Sequence, residues 1–135
     1  MFDTLEMSLT VLEQLAPLEP KLRQRRKSLA DEVGRAAESI ALNVSEARQR
    51  AGLDRADLFR RAAGSASELT TALRIARARG YITPADFAAV DAVLDRVRAM
   101  LWRLTHGAAG RCPGDGGLGA ARRGATRPAR ASTSY

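Results

Sequence analysis

One cysteine, Cys112, and one histidine, His106, are the only thiol and imidazole in this chain. A lone cysteine cannot close an intramolecular disulfide or build a cysteine-based metal cluster. A ferritin-like di-iron bundle needs a Glu-x-x-His pair on each of two helices, and a single His rules that out. Nucleophilic catalysis is equally short of parts, because nothing in the sequence holds a Ser or Cys against His106. The glycines at 114, 116, 117 and 119 are followed by neither a Lys-Ser/Thr pair nor a helix, so there is no phosphate loop. The expectation is a non-enzymatic protein with no catalytic residue, metal ligand or cofactor site.

Aromatic residues make up only 4% of a chain that is 45% hydrophobic, so the core must be built from Ala, Leu, Val and Ile. That composition favours helices over sheets. No apolar run approaches the roughly 18–20 residues that span a bilayer, and the start, MFDTLEMSLT, is acidic where a signal peptide is basic. With the unpaired Cys112, these features predict a cytoplasmic location.

The strongest pattern present lies in residues 58–82. Phe59, Ala62, Ala66, Leu69, Leu73 and Ala76 alternate three and four apart, which lines one seam of a helix. Ala62, Gly64, Ser65, Ala66 and Ser67 keep that seam narrow, so a neighbouring backbone can approach closely. In this register Leu73 points inward and Arg74 outward.

Three more helices follow from the same periodicity. The first carries Phe2, Leu5, Leu9, Leu12 and Ala16 on one stripe, widened by Val11 and Leu15, and stops before Pro17. Pro17 and Pro20 predict a turn. The second runs over about residues 28–50, burying Leu29, Val33, Ala36, Ile40, Val44 and Ala47. Asn43 lies on or beside that face, either satisfied within the bundle or turned to a ligand, and Glu46 is spaced to pair with Arg50. Gly52 breaks the pattern, and Asp54 or Asp57 is placed to cap the third helix, which ends at Gly80. Thr83-Pro84-Ala85-Asp86 reads as a capping box opening the fourth, with Phe87, Val90, Leu94, Val97, Leu101 and Leu104 inward. His106 fits as a cation at that helix's C-terminus, while Trp102 and Tyr81 read as packing residues at the bundle's ends. The expected fold is all-α: an antiparallel up-down-up-down four-helix bundle over residues 1–106. Val93 and Met100 beside one seam, and Val11, Leu15 and Leu18 beside another, exceed what one such core needs and predict self-association.

Residues 107–135 have no apolar period and read as a disordered Gly/Ala/Arg-rich tail, either inert or a weak aid to nucleic-acid binding. Its 5 Arg against 1 acid account for +4 of the chain's net +7. Of the other 17 Lys and Arg, five fall within residues 21–27, where Lys21, Arg23, Arg25, Arg26 and Lys27 occur with no acid among them. That run is either a solvated helix start or an anion-binding edge.

Ser39-Ile40-x-x-Asn43-Val44-x-Glu46, followed by Gly64-Ser65-x-x-Glu68-Leu69-x-Thr71-x-Leu73 and Gly80-Tyr81-Ile82, resembles the small bacterial four-helix-bundle proteins first noticed as products of intervening sequences in 23S ribosomal RNA genes. The resemblance spans about residues 2–106 and departs at Ala41 and Ala47, where such proteins often carry Pro and Gly. It implies a bundle that self-associates, frequently as a pentamer. A similar bundle, the accessory variability protein of diversity-generating retroelements, works with a reverse transcriptase and nucleic acid, which implies such partners here by analogy of fold alone.

Two functions of different classes remain. One is an accessory protein that binds RNA or DNA through its phosphates, using Lys21, Arg23, Arg25, Arg26 and Lys27 together with Arg60, Arg61, Arg74 and Arg77. The other is a protein-interaction scaffold without a ligand of its own, its arginines paired with a partner's acids or left in water.

Overall fold

A computed structural model describes the backbone of residues 2–107 and the side chains of residues 3–106. The tail from residue 108 onward, including Cys112, lies outside the described residues, and so do Met1 and the Phe2 side chain. The described chain folds into α1 (Phe2–Leu15), α2 (Leu18–Arg25), α3 (Lys27–Ala47), α4 (Gly52–Ala78) and α5 (Pro84–Trp102), followed by a π-helical turn over Arg103–Gly107. Both α1 and α4 pack against α3 and α5, which closes a four-walled bundle whose first wall is α1 continued by α2. Lys21 in the middle of α2 meets Asp86 at the start of α5, while Thr4 at the start of α1 meets Met100 near the end of α5. Ser39 and Ser65 meet across the middle of α3 and α4. Neighbouring walls therefore run antiparallel, in the expected up-down-up-down order. Among the described residues no helix is long and apolar enough to cross a membrane.

The seam of α4 is buried as expected: Phe59, Ala62, Ala66, Leu69, Leu73 and Ala76 are all at most 2% exposed. Opposite them α3 contributes Ala30, Val33, Ala36, Ala37, Ile40, Val44 and Ala47. Alanines on both sides let these two helices form the most extensive contact in the bundle. Val90, Leu94, Val97 and Leu101 complete the core from α5.

The first wall differs from the expectation in two ways. The chain does turn at Ala16 and Pro17, but Pro20 is not part of that turn, since Pro17 takes the N-cap position of α2 and Pro20 falls in its first turn. A proline there forfeits only N–H groups that have no intrahelical partner anyway, so a second short helix forms. The buried face of α1 is also rotated, running through Thr4, Ser8, Val11 and Leu15. Ser8 donates to the Thr4 carbonyl at 2.7 Å and Thr4 to the Met100 sulfur at 3.5 Å, which lets two hydroxyls occupy a core face. Leu5 and Leu12 move to the flank of the core, Leu9 is 39% exposed and Ala16 is exposed. Val11, Leu15 and Leu18 are therefore core residues and not spare apolar surface.

The caps are met at one helix junction and missed at another. Gly80 has φ +75°, with the Tyr81 amide donating to the Ala76 carbonyl and the Gly80 amide to the Arg77 carbonyl. This pair of bonds is a Schellman ending for α4. Thr83 and Asp86 form the reciprocal capping box with Pro84 at the first helical position. At the start of α4, however, the N-cap is Ala51 and makes no side-chain cap. Asp54 and Asp57 lie inside the helix, paired instead with Arg50 at 3.6 Å and Arg61 at 3.0 Å.

Candidate nucleic-acid interface

Residues 21–27 carry no acid in sequence, but the fold brings acids to them. Lys21 Nζ lies 2.9 Å from the Asp86 carboxylate, and Asp31 takes both Arg23 at 2.9 Å and Lys27 at 3.4 Å. Arg61 is likewise held by Asp57. These pairs are exposed, so each adds little stability, but each neutralises a cation that a phosphate would otherwise meet. Arg25, Arg26, Arg60, Arg74 and Arg77 have no carboxylate partner among the described residues. Arg25 sits over the Tyr81 ring at 5.3 Å and Arg77 over the Phe87 ring at 4.8 Å.

The nine candidates do not form one surface. The five on residues 21–27 lie at the end of the bundle where α3 starts and α4 finishes, and Arg74 and Arg77 join them there. Arg60 and Arg61 are near the opposite end of α4, about 25 Å from Arg77 at 1.5 Å per residue. Arg79 and Tyr81 were missed in the sequence reading. They lie on the Schellman ending, and the chain path returns them to Arg25 and Arg26, which no local spacing reveals.

Asp31 and Asp86 titrate below the ordinary carboxylate value of 3.8. A hydrogen bond from Arg23 is the main cause at Asp31, opposed by desolvation and assisted by Lys27; at Asp86 the main cause is Lys21, followed by the Thr83 backbone. Carboxyls depressed by folding stabilise the fold when the pH is above their unfolded value, and lose that contribution as pH falls through the folded value. Thermal melts should therefore give a constant Tm from neutrality to about pH 5 and a decline below it, with a shallower decline in Asp31→Asn.

The remaining polar candidates are accounted for inside the bundle. Half-buried Asn43 donates to the Ser39 carbonyl at 2.9 Å and to its hydroxyl at 3.1 Å, and Ser39 meets Ser65 across the α3–α4 contact at 2.8 Å. This supports the structural reading of Asn43. Glu46 pairs with Arg50 at 2.8 Å as the spacing indicates. Trp102 is not a packing residue: it is 59% exposed and stacks on His106, with ring centroids 4.3 Å apart. His106 Nδ1 lies 3.1 Å from the Trp102 carbonyl at the end of α5.

No curated protein matches this sequence. Among solved structures, a protein of unknown function from the S23 ribosomal protein family of Bacteroides thetaiotaomicron superposes with a TM-score of 0.70 at 20% identity. The match covers 76% of this chain and 97% of that one, and at this identity it speaks to the fold alone. The family model described as 23S rRNA-intervening sequence protein matches residues 4–103, and the chain belongs to that family.

Proposed function

We propose that the protein is a non-enzymatic accessory factor that binds the phosphate backbone of RNA or DNA without sequence preference. One observation carries this reading: Arg25, Arg26, Arg74, Arg77 and Arg79 gather at one end of the bundle with no carboxylate partner among the described residues. Guanidiniums exposed in this way displace counterions from phosphates, whereas the end presents no row of Asn, Gln and Arg for reading base edges. Fluorescence anisotropy with labelled oligonucleotides at low salt tests it. Binding that is insensitive to probe sequence and lost on charge reversal at Arg25 and Arg26 is expected. No binding at low salt, with or without residues 108–135, would shift the reading to a protein-interaction scaffold.

We also propose self-association, supported by apolar residues at the other end of the bundle. Leu42 is 69% exposed, Leu53 84% and Trp102 59%, and all three lie in the half away from the cationic cluster. Light scattering should give a mass well above the 14.5 kDa of one chain at micromolar concentration. A mass equal to that of one chain would remove this part of the proposal.

A further inference from the structure

We propose that the cavity between the start of α3 and the end of α4 is a receptor for a single phosphate group, gripped by the guanidiniums of Arg26 and Arg79 and the hydroxyl of Tyr81. The cavity has a volume of about 360 Å³ and is lined by these three residues with Ser28, Leu29, Glu32 and Ile75. Its lining carries two positive charges and one negative, and that one, Glu32, is engaged by Arg35 on the same helix. Leu29 and half-exposed Ile75 supply an apolar wall, beside which a charge-assisted hydrogen bond is stronger than in open water.

The gripping groups come from separate elements and are held in place by the backbone. Arg79 and Tyr81 flank Gly80 in the Schellman ending of α4, so their positions are set by that turn. Arg26 is the single extended residue between α2 and α3, with φ −160° and ψ 97°. As the N-cap of α3 it provides no side-chain cap, which leaves the positive end of that helix open beside the cavity. Arg25, over the Tyr81 ring, adds a further charge and braces the ring. The local field is strong enough to act on Tyr81 itself: a hydrogen bond from Arg79 is the main reason its phenol titrates below the ordinary value of 10.0, against desolvation and with further help from Arg26.

Two guanidinium forks and a hydroxyl lining one cavity suit a tetrahedral oxyanion with several acceptor oxygens better than a monatomic ion. The pocket goes beyond the backbone-binding reading, because it needs one phosphate and no polymer. That phosphate can be the terminal group of a nucleic acid or a small phosphomonoester.

The test is to titrate inorganic phosphate into the full-length protein at constant ionic strength, with sodium chloride as the balance. Phenolate absorbance reports Tyr81, and Tyr81→Phe isolates it from Tyr135. A bound anion opposes phenol ionisation, so phosphate should raise the Tyr81 pKa with a saturable dependence. Calorimetry should show phosphate binding weakened about ten- to a hundredfold in Arg79→Gln, the effect of one charge-assisted hydrogen bond. Arg26→Gln should act in the same direction if Arg79→Gln does not fold. A chloride-matched response without saturation, or unchanged binding in both variants, would overturn the pocket. Preference for a 5′-phosphorylated over a 5′-hydroxyl oligonucleotide supports it with a nucleic-acid source; equal binding of the two with phosphate binding retained supports it with a small-molecule source. Phosphate binding with no oligonucleotide binding at all would remove the backbone-binding reading and leave the pocket standing.

Discussion

Leu73→Ala is expected to destabilise the protein by about 2–5 kcal/mol, and Arg74→Ala by less than about 1 kcal/mol. Leu73 is 1% exposed on the seam of α4, whereas its neighbour Arg74 is exposed with no carboxylate partner among the described residues. The surroundings place the leucine effect in the upper part of that range. The α3–α4 contact is built largely from alanines such as Ala36, Ala37, Ala66 and Ala76, which have no rotatable atoms to swing into a cavity. Where the walls cannot collapse, the lost contacts and the residual void both count against the fold. Chemical denaturation of the two variants measures the difference directly. Equal effects would mean that α4 is rotated from the register described.

How much of the fold was legible in the sequence depended on whether a signal was local. The seams of α3, α4 and α5 were readable because each helix repeats its apolar spacing over several turns. The Thr83–Asp86 box and Gly80 were readable because their chemistry lies within a few residues. The first wall was not, because Thr4 and Ser8 are polar by type yet satisfy their hydroxyls internally, and a polar residue in the core looks like solvent face in a one-dimensional pattern. Nor do Pro17 and Pro20 announce whether they end a helix or start one, since both tolerate the first turn. The start of α4 was misread for a similar reason: Asp54 and Asp57 are good caps by type, but Arg50 and Arg61 were better placed to take them.

Charge is where sequence spacing said least. Five cations without an acid in residues 21–27 looked like an uncompensated patch, yet Asp31 and Asp86 partner three of them. Asp31 is one turn into α3 and Asp86 is across the bundle, 65 residues from Lys21. Conversely, local spacing marks Tyr81 only as a packing residue and does not mark Arg79 at all. Only the antiparallel return of α4 sets them beside Arg26.

Removing the Asp31 carboxylate should strengthen nucleic-acid binding and steepen its salt dependence, although it takes away two ion pairs. Of the cations at the α3-start end, Arg25, Arg26, Arg74, Arg77 and Arg79 are free of carboxylate partners among the described residues, so three to five phosphates can be contacted. For duplex DNA, raising salt from about 50 to 200 mM should then weaken binding by about 1.6 to 2.7 decades, since the logarithmic slope is about 0.9 per phosphate. Asp31→Asn releases Arg23 and Lys27 together. Each that reaches a phosphate should add about 0.9 to the slope and tighten binding at low salt, while the exposed pairs it breaks contribute little to the fold. Arg25→Ala should act the other way, lowering both affinity and slope. Arg60→Ala, about 25 Å off along α4, should leave the slope unchanged if only one end of the bundle touches the backbone. Anisotropy titrations of the four proteins at several salt concentrations separate these effects. An Asp31→Asn slope equal to that of the parent would show that Arg23 and Lys27 face away from the bound strand, and an Arg60→Ala slope reduced as much as that of Arg25→Ala would place the interface along the whole length of α4.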